Sequence, residues 1–371
     1  MLLNIISKIL LFPFAIIYGC IIWLRNWMYK SDFIGSTDFE IPVISIGNLS
    51  MGGTGKTPFV ELLIELLHGH YKTGVLSRGY KRKTSGFIEV KPSHTAKEVG
   101  DEPLMLKLKY PDVQVSVGEQ RVIAIPQLLA RHPETQVLLL DDAFQHQSVR
   151  PDISILLTTY DKPFYNDHIL PLGTLREFKS GKSRANIIVV TKCPTDMSAV
   201  EQQIISDKIK PTPKQKVFFS TIEYGTPYNI MNPMDRLPLS LQEAHLLITG
   251  IADASPLQRF LEDKTDGIVH FKFDDHHLFS RHELENIRKN YPDHSCWLTT
   301  EKDGVRLALY RDWLLENNIS LYCLPVKTKL IGAHVDEFEK TIRGYLSYFY
   351  KDENTGTELP SIDGNPESSQ T

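Results

Sequence analysis

The sequence has few cysteines, and none of them are paired in a motif. Its four cysteines, Cys20, Cys193, Cys296 and Cys323, lie far apart among 371 residues, and no C-x-x-C pattern occurs. This spacing argues against a disulfide framework or a thiolate metal site and favours a reducing compartment. A chain of this length buries a large core without such crosslinks, and its length predicts about two domains.

A large excess of one charge is also absent. The formal net charge is only −4, which gives no indication of a nucleic-acid partner. Residues 351–371 alone carry one lysine and five acids, so the rest of the chain is close to neutral. Because this end is rich in Gly, Pro, Ser and Asn, residues 349–371 are predicted to form a disordered acidic tail. No obligate protein partner is evident from the sequence.

The first thirty residues lack acids altogether and are strongly apolar. Sixteen uncharged residues, including Pro13, lie between Lys8 and Arg25. As one helix they would span about 24 Å, less than the hydrocarbon core of about 30 Å. Residues 1–30 are therefore predicted to form a membrane-associated helix in one leaflet, with Trp23 and Trp27 at headgroup level. A transmembrane span, a leader peptide and a buried first helix of the core remain as alternatives.

Behind this segment, short apolar runs alternate with helix-like segments, a pattern typical of an α/β protein with parallel sheets. The strands predicted for a first domain (31–216) are Val43–Ile46, Gly74–Leu76, Val113–Val117, Val137–Leu140, Ile153–Leu157 and Ile187–Val190. Those predicted for a smaller second domain (233–348) are His245–Thr249, Gly267–Phe273, Cys296–Thr299 and Ile319–Leu324. Two short runs around Gly225-Thr226-Pro227 predict a hairpin-like, two-stranded linker over 217–232.

A glycine-rich segment follows the first predicted strand. It matches the P-loop pattern G-x-x-x-x-G-K-[ST] except that serine replaces the first glycine. A helix is expected to start near Pro58, so its N-terminus and the loop would cradle phosphates. Lys56 would reach the β and γ oxygens, and the Thr57 hydroxyl would bind Mg²⁺. The loop consists of Ser50, Met51, Gly52, Gly53, Thr54, Gly55, Lys56 and Thr57.

Two acids follow another apolar run. Val137–Leu140 ends directly in Asp141 and Asp142, which is the arrangement that supports Mg²⁺ beside a P-loop. A GTPase would also carry an N/T-K-x-D motif to bind guanine. The nearest candidate, residues 191–194, reads TKCP with proline in the last position, so guanine specificity is not supported.

Several further motifs resemble one known family. Over nearly its whole length, to about residue 345, the chain is similar to the tetraacyldisaccharide 4'-kinases, which are lipid A kinases. The segments that carry the resemblance are Gly47–Thr57, Leu76–Tyr80, Gly100–Pro103, Asp141–His146, Leu170–Glu177, Asp275–His277 and Thr300–Asp303. Two departures are Ala143, where the family usually has glycine, and Lys81, where glycine often follows the tyrosine.

The resemblance implies a reaction and a fold. It implies ATP- and Mg²⁺-dependent phosphorylation of the 4'-hydroxyl of an acylated glucosamine disaccharide 1-phosphate, at the cytoplasmic face of the bacterial inner membrane. It also implies two α/β/α domains joined by a two-stranded linker, with the nucleotide and the lipid acceptor meeting in the cleft between them.

The resemblance further implies roles for individual residues. Asp101 matches the catalytic base and His276 its partner from the second domain, whereas the sequence alone favours Asp101 as the N-cap of a helix. Glu102 would join Thr57, Asp141 and Asp142 around Mg²⁺, unless it only complements the helix dipole. The acceptor contacts that the resemblance implies, each of which could instead be an ordinary surface salt bridge, are Tyr80, Arg121, Gln145, His146 and Arg176.

Two other classes of function are open to a P-loop chain with an apolar front end. One is a membrane-tethered ATPase switch that controls a protein partner, in which the FQH and LPLGTLRE segments would have no purpose. The other is a nucleotide-binding scaffold without turnover, which is hard to reconcile with Lys56, Thr57 and both aspartates.

Overall fold

The computed structural model describes residues 2–240, 244–332 and 334–355, and it confirms the expected α/β class with two sheets. The strands are β1 (Val43–Asn48), β2 (Thr73–Ser77), β3 (Ile88–Glu89), β4 (Gln114–Val117), β5 (Val137–Asp141), β6 (Ile153–Thr159), β7 (Ile187–Thr191), β8 (Lys216–Tyr224), β9 (Tyr228–Asn229), β10 (Ala244–Thr249), β11 (Gly267–Lys272), β12 (Cys296–Thr300), β13 (Ser320–Leu324) and β14 (Val326–Leu330). The helices are α1 (Leu2–Lys30), α2 (Lys56–Leu67), α3 (Ala96–Val99), α4 (Asp101–Lys109), α5 (Arg121–Arg131), α6 (Ala199–Ile209), α7 (Ser255–Glu262), α8 (Arg281–Asn290), α9 (Glu301–Leu307), α10 (Arg311–Glu316) and α11 (His334–Thr355).

The first domain is built on a nine-stranded sheet in the order β14-β8-β7-β6-β1-β5-β2-β4-β3. The edge strand β14 pairs antiparallel with β8, and the other edge strand, β3, pairs antiparallel with β4. The seven strands between these edges are parallel. Every residue of β1 and β5 is buried, as expected for parallel strands covered on both faces. Ile46 of β1 pairs with Asp141 of β5, so the loop after β1 begins beside the acids that end β5.

The second domain contains a five-stranded sheet in the order β11-β10-β12-β13-β9. Only β9 pairs antiparallel, and Trp297 and Leu246 lie fully buried at the centre of this domain's core. The loop after β11 and helix α9 after β12 leave the same edge of the sheet, because both follow parallel strands. Helix α9 packs there against α4 of the first domain. The strands that the sequence predicts in both domains are all present, with slightly different ends.

The linker differs from the prediction. The sequence predicts a hairpin over 217–232, but β8 pairs with β14, matching Tyr224 to Val326 and Ser220 to Leu330. Strand β9 joins the second sheet instead, where it pairs with β13. The two-stranded connection is therefore made by β8 and β14, which are separated in sequence by the whole second domain. A local pattern cannot reveal a partner that distant.

The second domain also ends earlier than the predicted residue 348. After β14 the chain returns to the first domain, where Phe338, Ile342 and Leu346 of α11 are buried in its core. The Phe338 ring lies 5.7 Å from that of Phe59 in α2. The predicted tail is wrong at its beginning, because α11 continues to Thr355. The remainder of the tail, 356–371, lies outside the described residues.

Helix α1 covers almost the whole of the predicted 1–30, since it runs for 29 residues and continues through Pro13. Residues Ile9–Lys30 are long and apolar enough to cross a membrane, with a mean hydropathy of 1.8. Only 11% of the most apolar part of this helix is buried, so the alternative of a buried core helix is wrong. A narrow stripe faces the first domain, where a Cβ atom on Gly19 would approach the Phe178 ring to 2.8 Å. Trp23 and Trp27 are exposed.

Candidate active site

The phosphate loop connects β1 with α2. Gly55 is the N-cap of α2 with φ 81°, and Gly52 has φ 110°, both in the left-handed region that favours glycine. Asn48 Nδ2 donates a hydrogen bond to Thr54 Oγ1 at 2.9 Å, and Thr191 Oγ1 donates to the Thr54 carbonyl at 2.8 Å. A Cβ atom at Gly52 or Gly53 would meet no atom within 4 Å. The loop is thus held at Thr54 and has free space at its glycines, where phosphates would bind.

The LPLGTLRE segment lies along this loop. Ser50 forms an antiparallel bridge with Leu175, and the Met51 N–H donates to the Thr174 carbonyl at 2.7 Å. The segment that the resemblance associates with the acceptor therefore also supports the backbone of the phosphate loop. This contact brings the two predicted sites, for nucleotide and for acceptor, into one structural unit.

Lys56, Asp142 and Arg176 form a chain of charges at the end of the loop. Lys56 Nζ lies 3.7 Å from Asp142 Oδ1, and Arg176 Nη1 lies 3.1 Å and 3.3 Å from the two Asp142 carboxylate oxygens. Burial acts to raise the pKa of Asp142, but Lys56 and Arg176 hold it below its usual range. Asp142 has a left-handed backbone conformation (φ 47°), whereas Ala143 does not have a positive φ. Position 143 therefore does not require glycine, and alanine is accommodated where the family usually has glycine.

Asp141 is more enclosed than Asp142. It accepts a hydrogen bond from Ser77 Oγ at 3.2 Å, while its buried Oδ1 has no partner. Burial, together with the charges of Glu102 and Asp142, raises the pKa of Asp141 to about 6.

These crowded carboxylates and the buried Thr57 hydroxyl are the oxygen ligands that Mg²⁺ prefers, and a cation would relieve the repulsion that raises the Asp141 pKa. Within the described ranges, no group of three or more His, Cys, Asp or Glu side chains could hold a metal ion. The phosphates of a nucleotide would therefore need to complete such a site.

Asp101 and His276 come from different domains and are in direct contact. His276 Nδ1 lies 2.8 Å from Asp101 Oδ2, and both side chains are largely buried. The N-cap of α4 is Gly100, with φ 90°, so the capping role that the sequence alone favours for Asp101 is wrong. Burial acts to raise the pKa of Asp101, but the hydrogen bond and charge of His276, together with Arg306, hold it below its usual value. The backbone N–H of His276 donates a hydrogen bond to the Gly250 carbonyl at 2.9 Å.

Two more cations of the second domain face the Asp101–Glu102 end of α4, and the sequence alone assigns them no role. Lys302 forms an ion pair with Glu102, and Arg306 Nε lies 3.7 Å from Asp101 Oδ2. Arg306 also forms a buried ion pair with Asp303. Lys302 lies in the Thr300–Asp303 segment that carries part of the family resemblance, whereas Arg306 lies just outside it. Their partners lie across the cleft, 200 positions earlier in the case of Lys302 and Glu102, so no local pattern links them.

The residues implied as acceptor contacts lie in different surroundings. Tyr80 is exposed, and its ring packs edge-on against that of His276 with centroids 5.3 Å apart. Lys81 after it has φ 59°, which explains why glycine often occupies this position in the family. Lys81 Nζ donates to the Asp275 carbonyl of the second domain at 3.2 Å.

The side chains of Arg121 and His146 are less exposed to solvent than those of residues in a surface salt bridge. The Arg121 side chain is fully buried, and its Nη2 donates to the Asp141 carbonyl at 3.0 Å. Burial and the charge of Arg121 lower the pKa of His146 to about 4, so its imidazole is neutral at pH 7. Gln145 lies beside them and accepts a hydrogen bond from Arg176 Nη1 at 3.3 Å.

A buried glutamate connects these residues with α1. Glu177 accepts hydrogen bonds from Gln145 Nε2 at 3.0 Å and, on its other oxygen, from Asn26 Nδ2 of α1 at 3.1 Å. The Tyr18 hydroxyl of α1 donates to the Arg176 carbonyl at 2.8 Å. The polar stripe of the apolar helix is therefore bonded directly to the segment that holds Arg176.

Comparison with known proteins shows the family of this chain. The family model described as LpxK, Tetraacyldisaccharide-1-P 4'-kinase, matches residues 7–347. The tetraacyldisaccharide 4'-kinase of Flavobacterium johnsoniae is 43% identical over 346 residues, 93% of this chain and 98% of that protein. The protein of the same name from Bacteroides thetaiotaomicron is 40% identical over 351 residues, 91% of this chain and 92% of the relative.

A solved structure is similar over the same range. The crystal structure of LpxK from Aquifex aeolicus in complex with ATP has a TM-score of 0.70 and 28% sequence identity, covering 92% of this chain and 99% of that one. Both domains and the phosphate loop thus lie within the similar region. The chain belongs to the tetraacyldisaccharide-1-P 4'-kinase family and is a kinase of lipid A biosynthesis.

Proposed function

We propose that this kinase transfers the γ-phosphoryl group of ATP to the 4'-hydroxyl of a tetraacylated glucosamine disaccharide 1-phosphate. The observation that supports the chemistry is the 2.8 Å contact between His276 Nδ1 and Asp101 Oδ2. Glu102 is the next residue in the chain. Burial acts to raise the pKa of Glu102, and the positive charge of Lys56 in the phosphate loop helps to lower it. The nucleotide follows from the ATP-bound relative, whose fold this chain shares.

In this proposal the Asp101 carboxylate accepts the proton of the attacking hydroxyl. Its low pKa keeps it ionised at neutral pH. A weak base is sufficient, because phosphoryl transfer depends more on orientation of the nucleophile and on charge stabilisation than on proton abstraction. His276 orients the carboxylate from the second domain, so the base is assembled only when the two domains are in contact.

Thr57 and carboxylates from the set Asp141, Asp142 and Glu102 are proposed to hold Mg²⁺ together with the nucleotide phosphates, whose charge the ion would neutralise when bound. The support for this set is the unpartnered, buried Asp141 Oδ1 and the pKa of Asp141, which burial and the charges of Glu102 and Asp142 raise to about 6. Lys56 is proposed to bind the β- and γ-phosphates, with Ser50–Gly55 providing backbone N–H groups.

Tyr80, Gln145, His146 and Arg176 are proposed to contact the acceptor. The neutral His146 would bind a sugar hydroxyl, whereas Arg176 offers a charged donor to a phosphate. Arg121 is buried in this conformation, so its proposed contribution is to hold the end of β5 through the Asp141 carbonyl.

Helix α1 is proposed to bind the cytoplasmic face of the inner membrane. Its exposed apolar residues include Phe12, Phe14, Ile17, Ile21 and Leu24. Because Tyr18 and Asn26 of the same helix bond to Arg176 and Glu177, the membrane surface would lie next to the acceptor site. Release of the protein from membranes by high salt alone would contradict this, since salt screens charges but leaves apolar burial intact.

The deciding experiment supplies purified protein with ATP, Mg²⁺ and the tetraacyl disaccharide 1-phosphate in detergent. The expected product, detected by mass spectrometry, carries one additional phosphate at the 4'-position. Lys56→Met is the matched control, because it removes the cation of the phosphate loop and should abolish the product. ATP hydrolysis without transfer to the lipid would contradict the proposal and favour the membrane-tethered ATPase switch.

A further inference from the structure

Lys302 is a cation that the second domain presents to the first. It lies in the first turn of α9, and its ammonium group forms an ion pair with Glu102 in the first turn of α4. Burial acts to lower its pKa, but Glu102 and Asp101 outweigh this effect and keep the pKa of Lys302 above its usual value. The side chain is therefore charged at any physiological pH, and about a third of it (31%) is exposed.

The backbone that carries Lys302 is fixed relative to His276. The Asp303 N–H donates to Thr300 Oγ1 at 3.1 Å, which caps α9, and the Gly250 N–H donates to Asp303 Oδ1 at 3.1 Å. Gly250 is also the residue whose carbonyl accepts from the His276 N–H. Lys302 and His276 thus belong to one rigid block, and the His276–Asp101 contact places Lys302 beside the proposed base.

Two lysines approach Glu102 from opposite domains. Lys302 pairs with it directly, and the charge of Lys56 also acts on it from the phosphate loop. Both ammonium groups therefore act on one carboxylate, and a bound phosphate group would compete with that carboxylate for them. Glu102 is the anion that Lys302 contacts here, and it has a second proposed ligand in Mg²⁺, so it need not keep the lysine when a nucleotide binds.

The geometry points to Lys302 as a further catalytic residue, which leaves Glu102 on nucleotide binding and contacts an oxygen of the phosphoryl group that is transferred. This inference rests on the proposed kinase reaction. A cation delivered by a second structural unit stabilises the charge that develops on the transferring group, in the way an arginine finger does. Lys302 forms and breaks no covalent bond, and it keeps its proton.

The competing interpretation is that Lys302 only holds the domains together, and the chain offers a matched control for it. Lys109, at the other end of α4, also bridges to α9, with its Nζ 3.0 Å from Glu301 Oε1. Lys109→Met therefore removes a comparable interdomain ion pair without altering the Asp101–Glu102 end. A merely structural role would give Lys302→Met and Lys109→Met the same phenotype.

The test measures the affinities of ADP and of a non-hydrolysable ATP analogue, with and without Mg²⁺, by calorimetry on the full chain. Lys302→Met is expected to weaken binding of the analogue about tenfold or more while ADP binding stays near that of the wild type, because only the analogue carries a γ-phosphate. Lys302→Arg should restore part of the difference. Lys109→Met should change both affinities alike.

Equal weakening of ADP and analogue binding by Lys302→Met would overturn the inference. A second test repeats the substitution in a Glu102→Gln background, where Lys302 has no carboxylate to hold. If Lys302→Met no longer weakens analogue binding selectively there, the inference is also overturned. If Lys302→Met does not fold, Lys302→Gln takes its place as the variant that loses the cation, and Lys302→Arg remains the conservative variant. The outcome is separable from the proposed function. If the wild type fails to phosphorylate the disaccharide but Lys302→Met still loses the analogue selectively, the acceptor is wrong and the role of Lys302 stands.

Discussion

The two walls of the cleft hold their charges differently. On the phosphate wall, Lys56, Asp142 and Arg176 have side chains that are 16%, 35% and 27% exposed. On the closing wall, formed by the second domain, Arg306 and Asp303 are 3% and 0% exposed and satisfy each other and the Gly250 backbone. Partly open charges can exchange one partner for a ligand, whereas buried, paired ones define a fixed geometry. The phosphate wall is therefore suited to binding and the buried pair of the closing wall to positioning, while Lys302, which is 31% exposed, is the cation of the closing wall that can still exchange its partner.

The largest effect is expected from removing the Asp101 carboxylate, where the two walls are in contact. Asp101→Asn should lower kcat about 10²- to 10⁴-fold, the range for loss of a general base. Nucleotide affinity, measured separately by calorimetry, should change little, because Asp101 does not contact the phosphate loop. Asp275→Asn is the control, since Asp275 Oδ2 lies 3.8 Å from the other nitrogen of His276. Near-normal turnover by Asp101→Asn would refute its assignment as the base.

Removing the partner from the closing wall should have a smaller effect. His276→Ala should lower kcat about ten- to hundredfold, as loss of an orienting partner does. Because His276 helps to hold the Asp101 pKa down, its removal should raise that pKa and move the acidic limb of the kcat/KM–pH profile to higher pH. His277→Ala should leave the limb in place, since the His277 side chain bonds to Glu283 instead. An unshifted limb in His276→Ala would mean that the two residues do not act together.

The smallest expected effect concerns the far end of the contact between α4 and α9. There Lys109 Nζ lies 2.6 Å from Glu61 of α2 and 3.0 Å from Glu301, and both carboxylates are buried. Lys109→Met should reduce the free energy of unfolding by about 1–2 kcal/mol, because it removes the charged donor shared by two buried carboxylates. Urea denaturation measures this. The control Lys329→Met removes an exposed pair with Glu223 and should change stability far less; equal losses would show that burial is not the cause.

The sequence predicted the phosphate wall far better than the closing wall, for a physical reason. Strand, glycine loop and helix are consecutive in the chain, and Asp141 follows its strand directly, so hydrophobic runs and spacing reveal them. The closing wall joins Gly250, His276 and residues 300–306 through tertiary contacts, and its chemistry depends on Asp101 and Glu102 in another domain. Only the family resemblance suggested His276, and nothing indicated what Lys302 and Arg306 contact.

The predicted hairpin and the predicted N-cap are wrong for the same reason. The hairpin expected around Gly225 did not account for β14, which pairs with β8 only after the second domain has intervened. Asp101 was favoured as an N-cap because aspartate commonly occupies that position, but Gly100 caps α4 and leaves the carboxylate free for His276. In both cases the competing partner lies far away in the sequence.

The pairing of β8 with β14 has a consequence for the order of folding. Tyr224 and Val326 are neighbours across this pair, and the Gly225 N–H donates to the Pro325 carbonyl at 2.9 Å, so the second domain leaves and rejoins the first sheet at one point. Joining β14 to β8 while residues 225–325 are unfolded would require closing a long loop at a substantial cost in chain entropy. Once the second domain has folded, its ends are already adjacent. We therefore expect the inserted domain to fold before the edge of the first sheet and the docking of α11 are completed.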